Sequence, residues 1–116
     1  MGDLQEGTIV TIDFPGVKGI KRRPAIVVSS ATYHQHRPDV IVGIVTSQIR
    51  HATTPTDYVL KDWAKGGLHR PSAFRAFLAT LPATAATPIG HCSKRDWQGI
   101  AACLKKAIAD SKQTDR

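Results

Sequence analysis

The stretch KRRPAIVVSS, Lys21–Ser30, joins three adjacent cations to an apolar run through a single proline. The apolar run predicts a buried strand from about Ala25 to Ser30. Proline fixes its own φ and favours an extended conformation for the preceding residue, Arg23. A cation at the margin of a rigid sheet needs little further ordering before it grips a phosphate. The stretch therefore predicts a strand that presents Arg23 to an anionic polymer.

The composition fits one small basic domain covering residues 1–116. Sixteen Lys and Arg residues against nine Asp and Glu give a net charge of +7, which favours nucleic acid, an anionic membrane face or an acidic protein as partner. No stretch approaches the roughly 20 apolar residues that a membrane-spanning helix needs, and the N-terminus lacks the pattern of a signal peptide. The cysteines Cys92 and Cys103 are too few for a disulfide framework and lack metal-ligand spacing. We therefore expect a cytoplasmic protein without a metal or another cofactor.

Alternating and apolar segments elsewhere in the chain predict further short strands. These strands are Thr8–Phe14, Val40–Gln48, Asp57–Leu60, Ser72–Leu81 and Thr87–His91. Helix is an open alternative for the alanine-rich Ser72–Leu81. Loops are expected at Gly16–Arg23, which carries four cations, and at Tyr33–Pro38.

The segment after residue 92 predicts one amphipathic helix. Ser93 and Asp96 have the spacing of a capping box, in which Ser93 Oγ accepts from the third backbone N–H and Asp96 reaches back. An apolar face then follows at spacings of three and four residues: Trp97, Ile100, Ala101, Leu104 and Ile108. Residues 111–116 are expected to be a frayed tail. Five or six short strands and a terminal helix indicate a mainly β fold, either barrel-like or a strongly bent sheet.

Five pieces of sequence occur in an order and spacing typical of one protein family. They are GTIVTIDFP at Gly7–Pro15, RPA at Arg23–Ala25, IVTSQ at Ile44–Gln48, Gly67-Leu68 with Pro71-Ser72 and Arg75, and Ile89-Gly90 before Ser93. Through these pieces nearly the whole chain resembles the MazF/PemK family, the toxins of bacterial toxin–antitoxin pairs. The fourth piece, in which Pro71-Ser72 and Arg75 follow Gly67-Leu68, is closer to the sequence of the PemK-like branch of this family.

The resemblance implies a small SH3-like barrel of the CcdB/MazF/PemK type with a C-terminal α-helix, assembled as a homodimer. It implies a metal-independent endoribonuclease that cuts single-stranded RNA, usually messenger RNA. It also implies a cognate antitoxin whose acidic tail blocks the RNA groove.

Metal-free RNA cleavage uses the ribose 2′-OH as nucleophile, so the protein has to supply charge stabilisation and proton transfer. The resemblance assigns the catalytic arginine to Arg23, directly before the proline, and a phosphate-facing hydroxyl to Thr46. A guanidinium can bind two phosphate oxygens at once but remains protonated in proteins, so Arg23 is expected to clamp phosphate or donate to the leaving group. The alternatives for these two residues are a solvated loop charge and a strand-end threonine that satisfies the backbone.

Further RNA contacts are expected from the basic loop, the end of the third strand and the segment after Gly66-Gly67. These residues are Lys18, Lys21, Arg22, Ser47, Gln48, His69, Ser72 and Arg75. Ser72 and Arg75 lie three apart on a strand and therefore face opposite sides unless a bulge intervenes.

His69 is the best candidate for a base near neutral pH. The alternative for each of the five histidines is that it is exposed on the surface and has no role in catalysis. An RNA base could stack on one of four aromatic side chains. The alternative is that these side chains belong to the hydrophobic core. These are Tyr33, Trp63, Phe74 and Phe77.

Two other function classes remain open from the sequence. A relative of CcdB would share the fold but poison a DNA topoisomerase. A noncatalytic module would use the same basic groove to bind RNA or an acidic peptide.

Overall fold

The computed structural model describes residues 4–16 and 19–109, with the backbone alone for residues 14–16. Six strands are present: β1 (Thr8–Gly16), β2 (Gly19–Val27), β3 (Asp39–Thr46), β4 (Asp57–Val59), β5 (Ala73–Pro82) and β6 (Thr87–His91). Two α-helices accompany them, α1 (Ala31–His36) and α2 (Lys94–Ala107). Short 3₁₀ turns lie at Ile49–His51 and Ala83–Ala85.

The strands form one antiparallel sheet in the order β4-β5-β3-β2-β1-β6. The sheet curls into a half-barrel with α2 beside it, which confirms the predicted mainly β, SH3-like fold with a C-terminal helix. A bulge in β5 helps the curl, because Gly43 pairs with Leu78 while the next residue, Ile44, pairs with Arg75. The ring of Phe74 occupies the place that a Cβ of Gly43 would take, which explains a glycine in the middle of β3.

Both faces of the sheet are buried. One face packs a cluster against α2, with Phe74, Ile9, Ile26 and Val45 from the sheet and Ile100 from the helix. The other face is closed by the curl of the sheet itself; its cluster comprises Val10, Ile12, Ala25, Val27, Val40, Val42 and Ala86. This two-sided burial explains why the strands carry apolar residues at successive positions instead of alternating strictly with polar ones.

The predicted loop at Gly16–Arg23 is wrong in its greater part. β2 begins at Gly19, and it pairs with β1 from Gly16↔Gly19 inward, so the cations belong to a strand. The register places Asp13 opposite Arg22, and the Asp13 carboxylate accepts from Arg22 Nη1 at 2.8 Å. The loop was expected because the segment contains glycines and four cations. Those residue types do not reveal this ion pair between neighbouring strands. Lys18 lies outside the described residues.

The predicted strand Ala25–Ser30 ends earlier, at Val27, and the expected loop at Tyr33–Pro38 is largely helix α1. Ser29 leaves the sheet because its Oγ accepts from the backbone N–H of Ile41. Ser30 then caps α1 by accepting from Tyr33 N at 3.3 Å.

Helix α2 starts where the sequence predicts, but its capping box is only half formed. Ser93 Oγ accepts from Asp96 N at 3.2 Å. The Asp96 carboxylate does not reach back; it is fully buried and accepts from Tyr58 Oη, Lys61 N and Asp62 N. Ile108, predicted on the apolar face, is 63% exposed beyond the helix end. β5 is a strand, so the helical alternative for Ser72–Leu81 is wrong.

Candidate nucleic-acid groove

A groove of about 460 Å³ opens where β2 and β3 separate. The two strands pair only from Ala25↔Ile44 to Val27↔Val42. Pro24 has no backbone N–H to give to a ladder, and the pairing ends beside it. Beyond this point the groove lies between Arg23-Pro24 on one side and 45–48 on the other.

The opposite wall is the segment 67–72, held against β6 by glycines. Gly67 has a φ of +96°, and a Cβ on it would approach the carbonyl oxygen of Ile89 to 2.6 Å. A Cβ on Gly90 would collide with the carbonyl oxygen of Gly66. The two backbones therefore touch directly, which only glycine permits. This contact fixes the position of His69 and Arg70, which both line the groove.

Arg23 lines the groove from β2 and is exposed. Within residues 4–16 and 19–109 its guanidinium has no hydrogen-bonding or ion-pairing partner. Because Arg23 lies on a strand, its backbone is already ordered and little entropy is lost when its side chain binds an anion. Its charge is therefore available to an anionic ligand.

Thr46, the last residue of β3, is half-buried and also lines the groove. Its Oγ1 accepts from the backbone N–H of Gln48 at 3.1 Å. That bond uses a lone pair of the oxygen and leaves the hydroxyl proton for donation. Ser47 and Gln48 follow on the same wall with exposed side chains.

Ser72 is buried beneath the opposite wall. Its Oγ donates to the carbonyl oxygen of Arg70 at 2.8 Å, and its own carbonyl accepts from Leu60 N at 3.0 Å. The side chain is 3% exposed, so it supports the turn that carries His69 and Arg70 more than it faces the groove. Sequence analysis missed Arg70; a second cation beside His69, after the Gly66-Gly67 pair, was the available signal.

Six of the ten predicted site residues thus meet at one groove: Arg23, Thr46, Ser47, Gln48, His69 and Ser72. Arg22 is instead bound to Asp13 and, through Nη2, to Thr87 Oγ1 at 2.8 Å. Arg75 lies 3.5 Å from Asp57 Oδ1 and does not line the groove, and Ser72 precedes the start of β5. Lys21 is exposed but does not line the groove.

The four aromatic residues considered for stacking lie elsewhere. Phe74 is fully buried, Trp63 packs on the core, Tyr33 donates to Asp39, and Phe77 is exposed away from the groove. Among the described residues that form the groove, the flat groups are the imidazole of His69 and the guanidinium groups of Arg23 and Arg70. Stacking on a base would fall to these groups.

Most of the other histidines have structural partners. His34 Nε2 lies 2.5 Å from Ser29 Oγ, His36 Nδ1 lies 3.0 Å from Thr32 O, and both ring nitrogens of His91 face backbone carbonyls. His51 is exposed on the 3₁₀ turn. Of the histidines, which all fall in the described part of the chain, only His69 lines the groove.

A polar network anchors the groove wall to α2. The backbone N–H groups of Lys61 and Asp62 donate to the Asp96 carboxylate. The Asp62 carboxylate in turn accepts from Arg95 Nε, Arg95 Nη2 and Ser93 Oγ at 2.6 to 2.9 Å. These donors, Arg95 first, hold the pKa of Asp62 well below its usual range. Burial, with the neighbouring Asp96 carboxylate as a further cause, raises the pKa of the Tyr58 hydroxyl.

The cysteines are buried and free, and burial raises the pKa of the Cys92 thiol to about 12. No group of three or more His, Cys, Asp or Glu side chains comes close enough for metal binding in residues 4–16 and 19–109. Among helices within these same ranges, none combines the length and the apolar character that crossing a bilayer requires.

Comparison with known structures supports the fold. A structure described as an endoribonuclease in complex with its cognate antitoxin from a mycobacterial species superimposes with a TM-score of 0.74 at 20% identity, over 89% of this chain and 92% of that one. Mycobacterium tuberculosis toxin MazF-mt6 gives 0.69 at 20% identity, over 86% and 94%. A MazE-MazF structure from Deinococcus radiodurans gives 0.69 at 21% identity, over 89% and 94%.

Comparison with curated protein sequences found no match. The sequence model of one family does match, over residues 5–108, and its description is "PemK-like, MazF-like toxin of type II toxin-antitoxin system". The match covers both walls of the groove and the core beneath them. The chain therefore belongs to the PemK-like, MazF-like toxins of type II toxin–antitoxin systems.

Proposed function

We propose that this toxin is an endoribonuclease that cleaves single-stranded RNA, with messenger RNA as its target in the cytoplasm. The observation that carries the proposal is that Arg23 and Thr46 line one groove, with the guanidinium unpaired among the described residues. The net charge of +7 supports an anionic polymer as substrate. Similar folds described as endoribonucleases support the same reaction class.

The reaction needs no metal because the substrate brings its own nucleophile. The ribose 2′-oxygen attacks the adjacent phosphorus, the bond from phosphorus to the 5′-oxygen breaks, and the 2′-proton passes to a base. An acid protonates the departing 5′-oxygen. The products are a 2′,3′-cyclic phosphate and a 5′-OH end, and the protein contributes only charge and proton transfer.

In this proposal Arg23 binds two non-bridging oxygens of the scissile phosphate and stabilises the charge that develops on the phosphorane. Thr46 donates its free hydroxyl proton to one of the same oxygens. Since Thr46 Oγ1 already accepts from Gln48 N, its position is set before the substrate arrives. A guanidinium remains protonated, so the base must be another group.

We propose His69 for proton transfer, because it is the one histidine on the groove and an imidazole can exchange protons near neutral pH. Ser47, Gln48 and Arg70 would hold the RNA strand on either side. Ser72 supports Arg70 from below. Lys21, Arg22 and Arg75 stay in the proposal as cations that attract the strand from outside the groove. Lys18, which lies outside the described residues, stays in the proposal as a further cation that attracts the strand.

We further propose a homodimer and a cognate antitoxin with an acidic tail. The sheet ends at the edge strands β4 and β6, where Val59 and Ile89 are 43% and 40% exposed, so a second copy has apolar edge residues to cover. Acidic side chains of an antitoxin would compete with RNA for Arg23 and Arg70. Sedimentation tests the dimer: a 12.6 kDa species alone at micromolar concentration would contradict it.

The decisive experiment incubates purified protein with unstructured RNA in excess EDTA and maps the ends of the fragments. We expect cleavage at defined positions with 5′-OH ends. RNA that is bound but uncut would indicate the noncatalytic module. Inhibition of DNA supercoiling without RNA cleavage would indicate a CcdB-like topoisomerase poison.

A further inference from the structure

A second depression of about 240 Å³ adjoins the groove on its β3 side. It is lined by Ser47, Gln48, Ile49 and Arg50. Ser47 and Gln48 also line the main groove, so the two depressions share a wall and form one continuous surface. A strand of RNA held at Arg23 and Thr46 would pass over Gln48 into this second depression.

The depression offers three kinds of chemistry that together suit a nucleotide. The amide of Gln48 can donate and accept, as the edge of a base requires. The side chain of Ile49 is 37% exposed and offers an aliphatic surface to the face of a base. Arg50 is exposed and offers a guanidinium to a phosphate.

These residues are held by backbone hydrogen bonds and are not on a loose loop. Thr46 Oγ1 accepts from Gln48 N, and the 3₁₀ turn Ile49–His51 closes with His51 N donating to Gln48 O at 3.0 Å. Ala52 N donates to Ile49 O at the same distance. The turn is thus attached to the hydroxyl group proposed for catalysis, which fixes the spacing between the two depressions.

Arg50 has no ion-pair or hydrogen-bond partner in the described ranges 4–16 and 19–109. Arg22 and Arg75, in contrast, have acidic partners, whereas Arg23 on the main groove has none among the same described residues. A guanidinium that the fold leaves unneutralised beside a groove can neutralise a phosphate and release the cations that are condensed on the RNA strand.

We propose that the depression lined by Ser47, Gln48, Ile49 and Arg50 is a second nucleotide subsite, which binds the nucleotide next to the cleaved linkage and its phosphate. The inference rests on the proposed function, since it extends the path of the RNA. Arg50 contacts the phosphate, Ile49 the face of the base and Gln48 its edge.

The test uses oligonucleotides built around the mapped cut site and lengthened by one nucleotide at a time on either side. The Arg50→Ala variant should raise KM about tenfold on long RNA with kcat unchanged. The effect should appear only when the RNA reaches the subsite on one of the two sides. The slope of log affinity against log salt should become shallower by roughly 0.7, the contribution of one phosphate on a single strand.

Lys105→Ala, an exposed charge-matched change on α2, is the control and should leave all three quantities at the wild-type values. Equal KM for wild type and Arg50→Ala at every length would overturn the subsite. So would an equal loss in Lys105→Ala, because net charge alone would then explain it.

A binding arm separates the subsite from the chemistry. Fluorescence anisotropy with RNA that carries a 2′-deoxy substitution at the cut site measures Kd without cleavage. If wild type cuts no RNA, the proposed function fails. Anisotropy with unmodified single-stranded RNA of increasing length then tests the subsite: a length-dependent loss of affinity in Arg50→Ala supports it, and equal affinities at every length reject it.

Discussion

Arg22 and Arg23 are neighbours on β2, but their guanidinium groups have different partners. Arg22 donates to Asp13 Oδ1 and Thr87 Oγ1, both at 2.8 Å, and so connects β2 to β1 and β6. Arg23 lines the groove, and none of the residues in 4–16 and 19–109 pairs with it. Of two adjacent arginines, Arg22 is therefore bound within the sheet, and Arg23 faces the groove with its charge available.

We predict that Arg22→Ala loosens the β1–β2 hairpin with little effect on global stability. The ion pair is exposed on both sides, so its loss should cost ~1 kcal/mol or less. Amide hydrogens of residues 12–13 and 20–23 should exchange faster, and RNA cleavage should fall less than tenfold. A loss as large as that of Arg23→Ala, with unchanged exchange, would mean that Arg22 itself binds the scissile phosphate.

We predict that Gly90→Ala disrupts the opposite wall of the groove. The new methyl group would collide with the carbonyl oxygen of Gly66, so the segment that carries His69 and Arg70 must move. We expect about 1–3 kcal/mol of lost stability in urea unfolding and a raised KM for RNA. The exposed Ala102→Ser on α2 is the control. Wild-type stability and KM for Gly90→Ala would show that the wall does not depend on this contact.

The Asp62 network predicts a pH dependence of stability. The pKa of Asp62 is lower in the folded protein than the value of about 3.9 usual for an unfolded chain. The network therefore stabilises the fold above that value, and the stabilisation is lost as the pH falls through the folded-state pKa.

The Asp62→Asn variant should melt at a lower temperature than wild type near neutral pH. The difference between the two proteins should shrink on acidification below about pH 4. Thermal unfolding followed by circular dichroism over this range is the measurement. A constant difference at every pH would attribute the effect to packing and not to the charge of Asp62.

We predict that His69→Ala lowers kcat by about 10²-fold or more if its imidazole transfers a proton in the reaction. Binding of uncleavable RNA should change much less. Single-turnover cleavage and anisotropy measure the two effects on the same preparation. His36→Ala, an exposed histidine on α1 that lines neither depression, is the matched control. An unchanged kcat in His69→Ala would assign proton transfer to another group.

The sequence predicts the parts of the fold that depend on local patterns. Alternating and continuous apolar segments locate the strands, and Ser93 locates the start of α2. The first part of β2, from Gly19 to Arg23, differs from the predicted loop because Arg22 depends on Asp13, nine residues away, and on Thr87. Helix α1 was missed because its length of six residues leaves little periodicity to detect.

The sequence motifs account for which candidate residues lie at one groove, and their roles there stay a prediction. Arg23, Thr46 and His69 come together as expected, because each lies next to a proline, a strand end or a glycine pair. The supporting role of Ser72 could not be predicted, since its contact with the Arg70 carbonyl depends on the turn between them. Nor could the role of Asp96, whose donors come from Tyr58, Lys61 and Asp62, 34 to 38 residues earlier.

We propose above all that the guanidinium of Arg23, unpaired among the residues that the structure describes, stabilises the charge on the scissile phosphate. Single-turnover RNA cleavage in EDTA, measured for wild type and Arg23→Ala with Lys105→Ala as control, tests it most directly. We predict a loss of about 10²-fold or more in Arg23→Ala with the unfolding midpoint retained, and a wild-type rate for Lys105→Ala. Cleavage by Arg23→Ala at the wild-type rate would contradict the claim.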